Sequence, residues 1–363
     1  MKKKVISIAL CLTTVATLLA GCGSTASTTA PAETPAAEIE TAADTAETTA
    51  ATEAASDIEP VTLTVYSPGN ETSVPTKTII KYAELVAEAS GGAITLDVHH
   101  SGELGNDAEA LQSARMGTID IVFAGTSGYT EFYDDAKILD LPFLFDSAEE
   151  AYEVVNSEIG EKIFADLPSV GLEYLAEGDN GMRQISTTNK PVHTAADVKG
   201  LKLRVPTSQM YLDCWQKLGA NPIALALNEL AVALSNGTAE GQDNATYHLV
   251  ANATYDDIKN FSFINYMWMG CTMSANSVSW SKLSPEVQAI LKEQAVVAAK
   301  YSFDTIAEDN KTAQATLEEA GVIFDMEPDI QSFKDALGMP DYYQNYAEEP
   351  WFNQETLDAI LAH

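Results

Sequence analysis

The sequence is short of positive charge. Of its 363 residues only 20 are Lys or Arg, against 53 Asp or Glu, so the formal net charge at pH 7 is −33. A surface of this sign repels nucleic-acid phosphates and anionic lipid headgroups, which argues against both as partners. A small anionic ligand stays compatible with this charge, because salt screens exposed charges over about 8 Å and one arginine can dominate a closed cleft.

Motifs for phosphate, cofactor and metal chemistry are also missing. The sequence has no P-loop, no glycine-rich dinucleotide fingerprint and no H-E-x-x-H pair, and its five histidines show no metal-ligand spacing. Gly125-Thr126-Ser127-Gly128 has the wrong glycine spacing for the nucleophile elbow of a serine hydrolase. We therefore expect a protein that is not an enzyme and has no catalytic residue, metal or cofactor.

Cysteine is rare, with four in the chain. Cys11 and Cys22 lie in the N-terminal segment, which leaves Cys214 and Cys271 for the folded part. These two can pair in an exported protein. However, Cys214 lies in a predicted helix and Cys271 in a predicted strand, which favours free buried thiols.

The N-terminus has the pattern of an export signal. Three lysines precede an apolar run and a stretch of small residues, and the run is too short and too interrupted to remain as a membrane span. Leu19-Ala20-Gly21-Cys22 resembles the bacterial lipobox, which implies a lipoprotein signal peptide over residues 1–21 and a lipid on Cys22. An ordinary secretory signal with an incidental cysteine is the alternative. The lipid would anchor the protein to the membrane outside the cytoplasm.

Residues 22–59 are predicted to be a disordered tether between that lipid and the folded part. After Cys22 they consist mainly of threonine, alanine, serine, proline and acids, without one lysine or arginine. Such a segment cannot bury enough apolar surface to offset the entropy of ordering.

The remaining residues predict an α/β protein with two sets of elements. Val61 to Tyr66, Ala93 to His99 and Ile119 to Ala124 alternate as strands, with helices between them, which indicates a largely parallel sheet covered on both faces. A second set begins near Gly181 with strands at Met182 to Ser186 and Leu201 to Val205. We therefore expect two lobes.

One helix is expected to bridge both lobes. Ser284-Pro285-Glu286 is a helix start, and neither proline nor glycine follows until Gly321. About 36 helical residues would span roughly 54 Å, which exceeds one lobe. Two shorter helices with an unmarked break are the alternative.

Arg204 is the first candidate ligand residue. It lies in a short strand in which Leu201, Leu203 and Val205 face a core, and Lys202 and Arg204 face away from it. Pro206 ends this strand, so Arg204 lies near a strand's carboxyl end, where open α/β sheets bind ligands. Arg204 is therefore predicted to clamp an anion.

Other candidates are polar residues that follow predicted strands, together with one tyrosine from an aromatic-rich extended segment. Collected at the carboxyl ends of two sheets that face one crevice, they would form a polar, partly aromatic ligand site. They are Asn70, Glu71, Thr126, Ser127, Asp179, Asn180, the run Gln242-Asp243-Asn244, and Tyr266.

Seven motifs in order resemble the substrate-binding proteins of tripartite ATP-independent periplasmic (TRAP) transporters, the DctP family. They are Gly102-Glu103-Leu104-Gly105-Asn106-Asp107, Met116-Gly117-Thr118-Ile119-Asp120, Asp140-Leu141-Pro142-Phe143, Gly181-Met182-Arg183-Gln184, the nine residues from Val198 to Pro206, Leu218-Gly219-Ala220, and the eight residues from Gly237 to Asn244. The resemblance covers about residues 60 to 330.

This resemblance implies a two-lobed periplasmic-binding-protein fold, type II-like, with lobe I at 60–180 plus 270–309 and lobe II at 181–269 plus 310–363. It implies a monomeric extracytoplasmic receptor that closes around a small organic acid and delivers it to a two-component TRAP membrane permease. A sensory binding protein that feeds a kinase or chemoreceptor, and an extracytoplasmic hydrolase, are the alternatives. A dicarboxylate, a keto acid and a sugar acid are all compatible ligands.

Three site residues come from the family's motifs. Arg204 falls on the arginine that grips the ligand carboxylate in two-point fashion, Asn244 on the amide that assists it, and Arg183 on a second arginine often found at the site. The chain departs from the family in two places. Gly125 and Thr126 stand where sialate-binding members carry an acid, and Asp243 replaces the usual glutamate.

Overall fold

A computed structural model describes residues 58–347 and 351–363. The predicted signal peptide, Cys22 and all but the end of the predicted tether lie outside the described residues. Among the described residues, no helix combines the length and the apolar character needed to cross a bilayer.

The described strands are β1 (Val61–Tyr66), β2 (Ile94–His99), β3 (Ile121–Gly125), β4 (Leu172–Thr187), β5 (Lys202–Val205), β6 (Asn221–Ala224), β7 (Gly241–Asn244), β8 (Asn260–Asn276) and β9 (Ile323–Asp325). The α-helices are α1 (Val74–Ala89), α2 (Asp107–Met116), α3 (Ala148–Val155), α4 (Glu158–Ile163), α5 (Gln209–Lys217), α6 (Leu230–Ser235), α7 (Thr246–Ala251), α8 (Ser277–Trp280), α9 (Pro285–Glu319), α10 (Ile330–Leu337), α11 (Gln344–Ala347) and α12 (Gln354–Leu361).

The strands form one mixed sheet in the order β2-β1-β3-β8-β4-β7-β5-β6, with β9 beside β8. The parallel pairing of β1 with β2 and β3 confirms the predicted arrangement at that edge. The prediction of two separate sheets was wrong, because β8 runs antiparallel to both β3 and β4 and joins the two sets.

The lengths of β4 and β8 explain the joined sheet. They have 16 and 17 residues, and β4 begins ten residues before the strand predicted at Met182 to Ser186. Their pairing contains three irregularities, the second between Asp179 and Met182, where Gly181 has a positive φ of 97°. Such irregularities bend and twist a strand pair. The pair of β4 and β8 can therefore join two parts of the sheet that have different orientations. The strand β8 ends at Asn276, and α8 begins at the next residue.

The long helix α9 is continuous over 35 residues, which confirms the single-helix prediction and excludes the break. The Ser284 hydroxyl accepts a hydrogen bond from the Val287 amide at 3.3 Å, and Pro285 occupies the first turn, where its missing N–H costs nothing. Alanines 295, 298 and 299 are buried against the sheet and α1, and small side chains allow this close approach. The Tyr82 hydroxyl of α1 donates to the Leu291 carbonyl at 2.9 Å.

Cys214 and Cys271 are both free and buried. The predicted free thiols are thereby confirmed. Burial raises the pKa of each thiol well above its usual value, so both stay protonated and behave as small apolar side chains.

Candidate functional site

Arg204 is buried on β5, in the part of the mixed sheet that the second set of elements forms. In parallel pairing it lies opposite Gln242 of β7 and Ile223 of β6. Leu203 and Val205 point to the opposite face, as predicted, but the face of Arg204 is covered too, and the residue is only 4% exposed. The segment after α7 helps to cover this face. Gln242, which lies beside Arg204 on the same face, donates from its Nε2 to Thr254 Oγ1 of that segment at 3.1 Å.

The guanidinium of Arg204 is held at one edge, and within the described part of the chain it makes no hydrogen bond at the other. Its Nε and Nη2 both donate to the Leu225 carbonyl, at 2.9 and 2.7 Å. The end-on edge, formed by Nη1 and the second proton of Nη2, matches the two oxygens of a carboxylate. Among the described residues no carboxylate is ion-paired with Arg204. Burial, and next the neighbouring Arg183, lower the pKa of Arg204 to about 10, so it remains charged at neutral pH.

Arg183 of β4 already has a protein counter-ion. Its Nε donates to Asp243 Oδ2 and its Nη2 to Asp243 Oδ1, both at 3.0 Å, and the two side chains are 2% and 0% exposed. The guanidinium also lies over the Tyr211 ring, 4.9 Å from its centroid. Burial opposes the charge of Arg183, but Asp243, Tyr211 and Tyr266 together outweigh burial, so the pKa of the arginine is raised. Contact of Arg183 with a ligand stays a prediction.

Tyr266 and Asn244 surround this ion pair. The Tyr266 hydroxyl donates to Asp243 Oδ2 and accepts from Trp215 Nε1 at 3.1 Å. Asn244 ends β7, where its Nδ2 lies 3.4 Å from Gln242 Oε1, the side chain opposite Arg204. The structure therefore places Asn244 near Arg204 and Tyr266 against the counter-ion of Arg183.

Thr126 and Ser127 follow β3, as predicted, but only Ser127 is partly exposed. Thr126 is buried, and its hydroxyl bonds to Glu177 Oε1 at 2.6 Å and to the Thr272 hydroxyl at 2.9 Å. Gly270 makes room for this cluster, because a Cβ there would lie 2.2 Å from Glu177 Oε1. Thr126 is thus engaged by the protein, whereas Ser127 is open to contact.

Asn70 and Glu71 have different surroundings. Asn70 Nδ2 donates to the Ala251 carbonyl at 2.6 Å, a contact 181 residues away along the chain. Its Oδ1 accepts from the Thr72 amide and hydroxyl. Glu71 is exposed. Asn70 therefore connects the loop after β1 to the end of α7.

Asp179 and Asn180, the other polar residues predicted after strands, lie within the long strand β4. Asp179 Oδ1 accepts from Trp268 Nε1 at 2.8 Å and from the Gly181 amide at 2.7 Å. Asn180 Oδ1 lies 3.0 Å from Nε2 of the buried His248. Burial, with the two arginines, lowers the pKa of His248 to about 3, so the imidazole is neutral at physiological pH.

Asp107 is a candidate that the sequence prediction missed. It occupies the first turn of α2, and its Oδ1 accepts from the Gly125 amide at 3.1 Å, beside Ser127. It and Arg204 influence each other's pKa electrostatically, without forming an ion pair. Burial raises the pKa of Asp107, and Gly125 and Arg204 partly offset this shift. Its position after β2 could have marked it as a ligand residue, because the other candidates also follow strands. However, an acid at this position is also typical of the first turn of a helix.

Asp140 joins the two sets of elements near this site. It accepts from the Ser208 hydroxyl at 3.1 Å and from the Tyr211 hydroxyl at 3.4 Å. Ser208 follows β5, the strand of Arg204, whereas Asp140 ends the segment after β3. Burial raises the pKa of Asp140 to about 7. Within residues 58–347 and 351–363 no group of three or more His, Cys, Asp or Glu is arranged to hold a metal ion.

Comparison with known proteins gives a family for this arrangement. The sequence profile of "Bacterial extracellular solute-binding protein, family 7" (DctP) matches residues 67–349. The 2,3-diketo-L-gulonate-binding periplasmic protein YiaO of Escherichia coli is 30% identical over 259 residues, 71% of this chain and 79% of that protein. The C4-dicarboxylate-binding protein DctB of Bacillus subtilis is 27% identical over 282 residues, 77% of this chain and 80% of that protein.

Solved structures agree with the sequence comparison. A TRAP periplasmic solute-binding protein from Roseobacter denitrificans with bound β-D-glucuronate superposes with a TM-score of 0.79 and 26% identity, covering 83% of this chain and 99% of that one. A second, from Polaromonas with bound D-erythronate, has a TM-score of 0.79 and 25% identity, covering 83% and 98%. The two-lobed fold predicted from the motifs is confirmed. The chain belongs to the bacterial extracellular solute-binding protein family 7, and it is a solute-binding receptor of the TRAP type.

Proposed function

We propose that this receptor captures an organic carboxylate and that Arg204 is the group that holds it. The observation that carries this proposal is a buried guanidinium that forms no ion pair with any carboxylate of residues 58–347 and 351–363, in a chain with a net charge of −33. A buried charge without a partner is costly, so proteins rarely keep one unless a ligand completes it. Leu225 fixes the plane of the guanidinium and presents its end-on edge in one orientation.

The relatives support a carboxylate ligand. Diketogulonate, C4-dicarboxylates, glucuronate and erythronate are all carboxylic acids, and each is named for a protein similar to this one. A TRAP receptor delivers its solute to a two-component membrane permease, which we propose as the partner of this protein.

The other predicted residues have proposed roles that follow from their positions. Asn244 would assist Arg204, and Ser127 and Asn70 would contribute from the opposite lobe. Thr126, Tyr266 and Arg183 would support the site through Glu177 and Asp243. Glu71, which is exposed, would contact a ligand only at the rim. The lobe bounds of 60–180 plus 270–309 and 181–269 plus 310–363 remain part of this proposal.

The proposed location is outside the cytoplasm, on a lipid at Cys22, with the protein acting as a monomer. The lipobox-like run and the tether composition support the anchor. Cys22→Ala should convert a detergent-extracted protein into a soluble one. Recovery of the wild-type protein wholly in the soluble fraction of its own host would reject the anchor.

The clamp is tested by calorimetry on Arg204→Ala and Arg204→Lys with the best-binding acid from a panel of organic acids. Loss of one side of a buried charged pair costs about 2 to 5 kcal/mol, or about 30-fold to several-thousand-fold in Kd. Arg204→Lys should recover part of the loss, because an ammonium cannot hold both oxygens in one plane.

Lys202→Ala is the matched control. Lys202 is an exposed base on the same strand, two residues earlier, so its loss should leave Kd within about twofold. If Arg204→Ala also binds the acid within about threefold of the wild type, Arg204 is not the clamp and Arg183 becomes the candidate.

A further inference from the structure

The end of α7 meets the loop after β1 through two asparagines. Asn70 Nδ2 donates to the Ala251 carbonyl at 2.6 Å and lies 3.4 Å from Asn252 Oδ1. Asn70 Oδ1 accepts from the Thr72 amide at 3.1 Å and from the Thr72 hydroxyl at 2.8 Å, so its own loop turns the nitrogen of this amide toward α7. By the proposed bounds, this contact joins lobe I to lobe II.

His248 lies one helical turn before Asn252 and holds its side chain. Asn252 Nδ2 donates to the His248 carbonyl at 2.9 Å and lies 3.2 Å from His248 Nδ1. An amide NH2 group has two protons, so it can donate to both atoms if Nδ1 carries no proton. These contacts turn the oxygen of Asn252 toward Asn70. His248 can therefore act on the contact between the lobes through Asn252.

Asn180 determines which nitrogen of His248 carries the proton. His248 Nε2 lies 3.0 Å from Asn180 Oδ1, which also accepts a hydrogen bond from the Tyr247 hydroxyl. A carbonyl oxygen only accepts, so the proton lies on Nε2 and Nδ1 is an acceptor. Asn180 directly precedes Gly181, at an irregularity in the pairing of β4 with β8. The imidazole thus connects the bend of this strand pair with the contact between the lobes.

The helix α7 depends on such side-chain contacts for its position. It has only six residues, which is too few for a helix to be stable alone. At its start, the Tyr247 amide donates to Asn310 Oδ1 of α9 at 3.0 Å. At its end, the contacts of Asn252 with His248 and Asn70 hold it. Loss of the imidazole should therefore loosen the end of α7 while its start stays on α9.

We propose that His248 is a positioning residue for solute retention, which holds Asn252 and through it Asn70 in a latch that slows release of the bound solute. The latch consists of Asn70, Asn180, His248 and Asn252. The inference rests on the receptor function and on the proposed lobe bounds, and it is independent of Arg204 as the clamp. Because the latch forms only when the lobes are together, it acts on dissociation more than on association.

Amide hydrogen exchange on the ligand-free protein tests the latch without a solute. In His248→Leu, Asn180 keeps the hydrogen bond from Tyr247 and Asn252 keeps the His248 backbone carbonyl, so no buried polar group loses its last partner. Exchange should become about twofold to tenfold faster both in α7 and in the loop at 69–73, whose Thr72 amide donates to Asn70. Faster exchange in α7 alone, or no change in either segment, would overturn the latch.

The rate of solute release is measured by stopped-flow tryptophan fluorescence with D-glucuronate. His248→Leu should release it about twofold to tenfold faster, with a smaller change in the association rate. His248→Asn should recover part of this loss, because its amide oxygen can replace Nδ1 as the acceptor for Asn252. His363→Leu, the same chemical change at the exposed C-terminal residue, should leave both rates unaltered.

A double variant separates the latch from a general effect on the fold. Asn70→Ala and His248→Leu break the same contact, so the double variant should release D-glucuronate about as fast as the faster single variant. Two effects that multiply, or a His248→Asn variant that releases the acid as fast as His248→Leu, would show that His248 does not act through Asn252 and Asn70. If the wild type does not bind D-glucuronate, or Arg204→Ala binds it equally well, the carboxylate clamp fails and the hydrogen-exchange result alone decides the latch.

Discussion

Arg183 and Arg204 are both buried, yet their charges are balanced differently. Arg183 is paired with Asp243 by two hydrogen bonds, whereas Arg204 bonds to a neutral carbonyl at Leu225. Breaking a buried pair leaves an uncompensated charge, which destabilises a fold strongly. Removing a buried charge without a counter-ion relieves such a cost. Substitution of the two arginines should therefore change the free energy of unfolding by different amounts.

Arg183→Met should lower the free energy of unfolding by about 3 to 5 kcal/mol, because it leaves Asp243 buried without its partner. Arg204→Met should leave the ligand-free protein as stable as the wild type, or more stable, while abolishing acid binding. Urea unfolding monitored by tryptophan fluorescence measures both. A strong loss of stability in Arg204→Met would show that this arginine has a structural role.

The difference between these arginines was not visible in the sequence. Arg204 was predicted because the alternation of its strand and Pro206 fix its place locally. The pairing of Arg183 with Asp243 depends on the register of β4 and β7, where Ile185 lies opposite Asp243, and these strands are far apart in the chain. Asp107 was missed for another reason, since an acid in the first turn of a helix is ordinary.

The strand β4 carries an unusual set of buried acids. Glu177 and Asp179 are 0% and 1% exposed, and Glu177 Oε2 has no hydrogen-bond partner within the part of the chain that the structure describes. Burial raises the pKa of Glu177 from 4.5 to about 8, against the lowering effect of hydrogen bonds from Thr126 and Thr272. Burial likewise raises the pKa of Asp179 to about 7. Glu177 therefore keeps its proton in the folded protein at neutral pH, whereas Asp179 is only partly protonated there.

This strand should make stability depend on pH. Between pH 4.5 and 8 an unfolded Glu177 has lost its proton while the folded one retains it, so the free energy of unfolding falls as pH rises through this window. One such group contributes at most about 1.4 kcal/mol per pH unit. Glu177→Gln, which stays neutral, should gain stability relative to the wild type as pH rises from 5 to 8.5.

Urea unfolding at several pH values checks this prediction. Glu88→Gln on the exposed side of α1 is the control, because it removes one carboxylate without changing the buried cluster. A constant difference between Glu177→Gln and the wild type across pH 5 to 8.5 would mean that Glu177 is already ionised in the folded state.

Among the strands, the short β1 was easier to predict than the long β4. The strand at Val61–Tyr66 was predicted with its bounds, since an alternating pattern marks it clearly. The strand β4 was recognised only in its second half, because its first ten residues include Gly178, Asp179 and Asn180, which favour turns in isolation. Pairing with β8 on one side overrides that local preference.

At the scale of the whole molecule, direct hydrogen bonds connect the predicted lobes. Asn70 of the first lobe donates to Ala251 of the second, and Asp140 of the first accepts from Ser208 and Tyr211 of the second. Contacts of this kind exist only when the lobes are together. The family resemblance of the sequence motifs implied that the lobes close. It did not identify the contacts between the lobes, because these join residues that are far apart in the sequence.

These contacts should couple closure to ligand binding. A ligand that touches both lobes favours the closed state, so saturating acid should decrease the radius of gyration in small-angle scattering. Asn70→Ala removes one hydrogen bond from the closed state, so it should weaken acid binding by about twofold to tenfold, chiefly through faster dissociation. Glu88→Ala is the control, because Glu88 lies on the exposed side of α1 and has no proposed role in binding. Equal effects of the two variants on the dissociation rate, or a radius of gyration that acid does not change, would contradict closure through this contact.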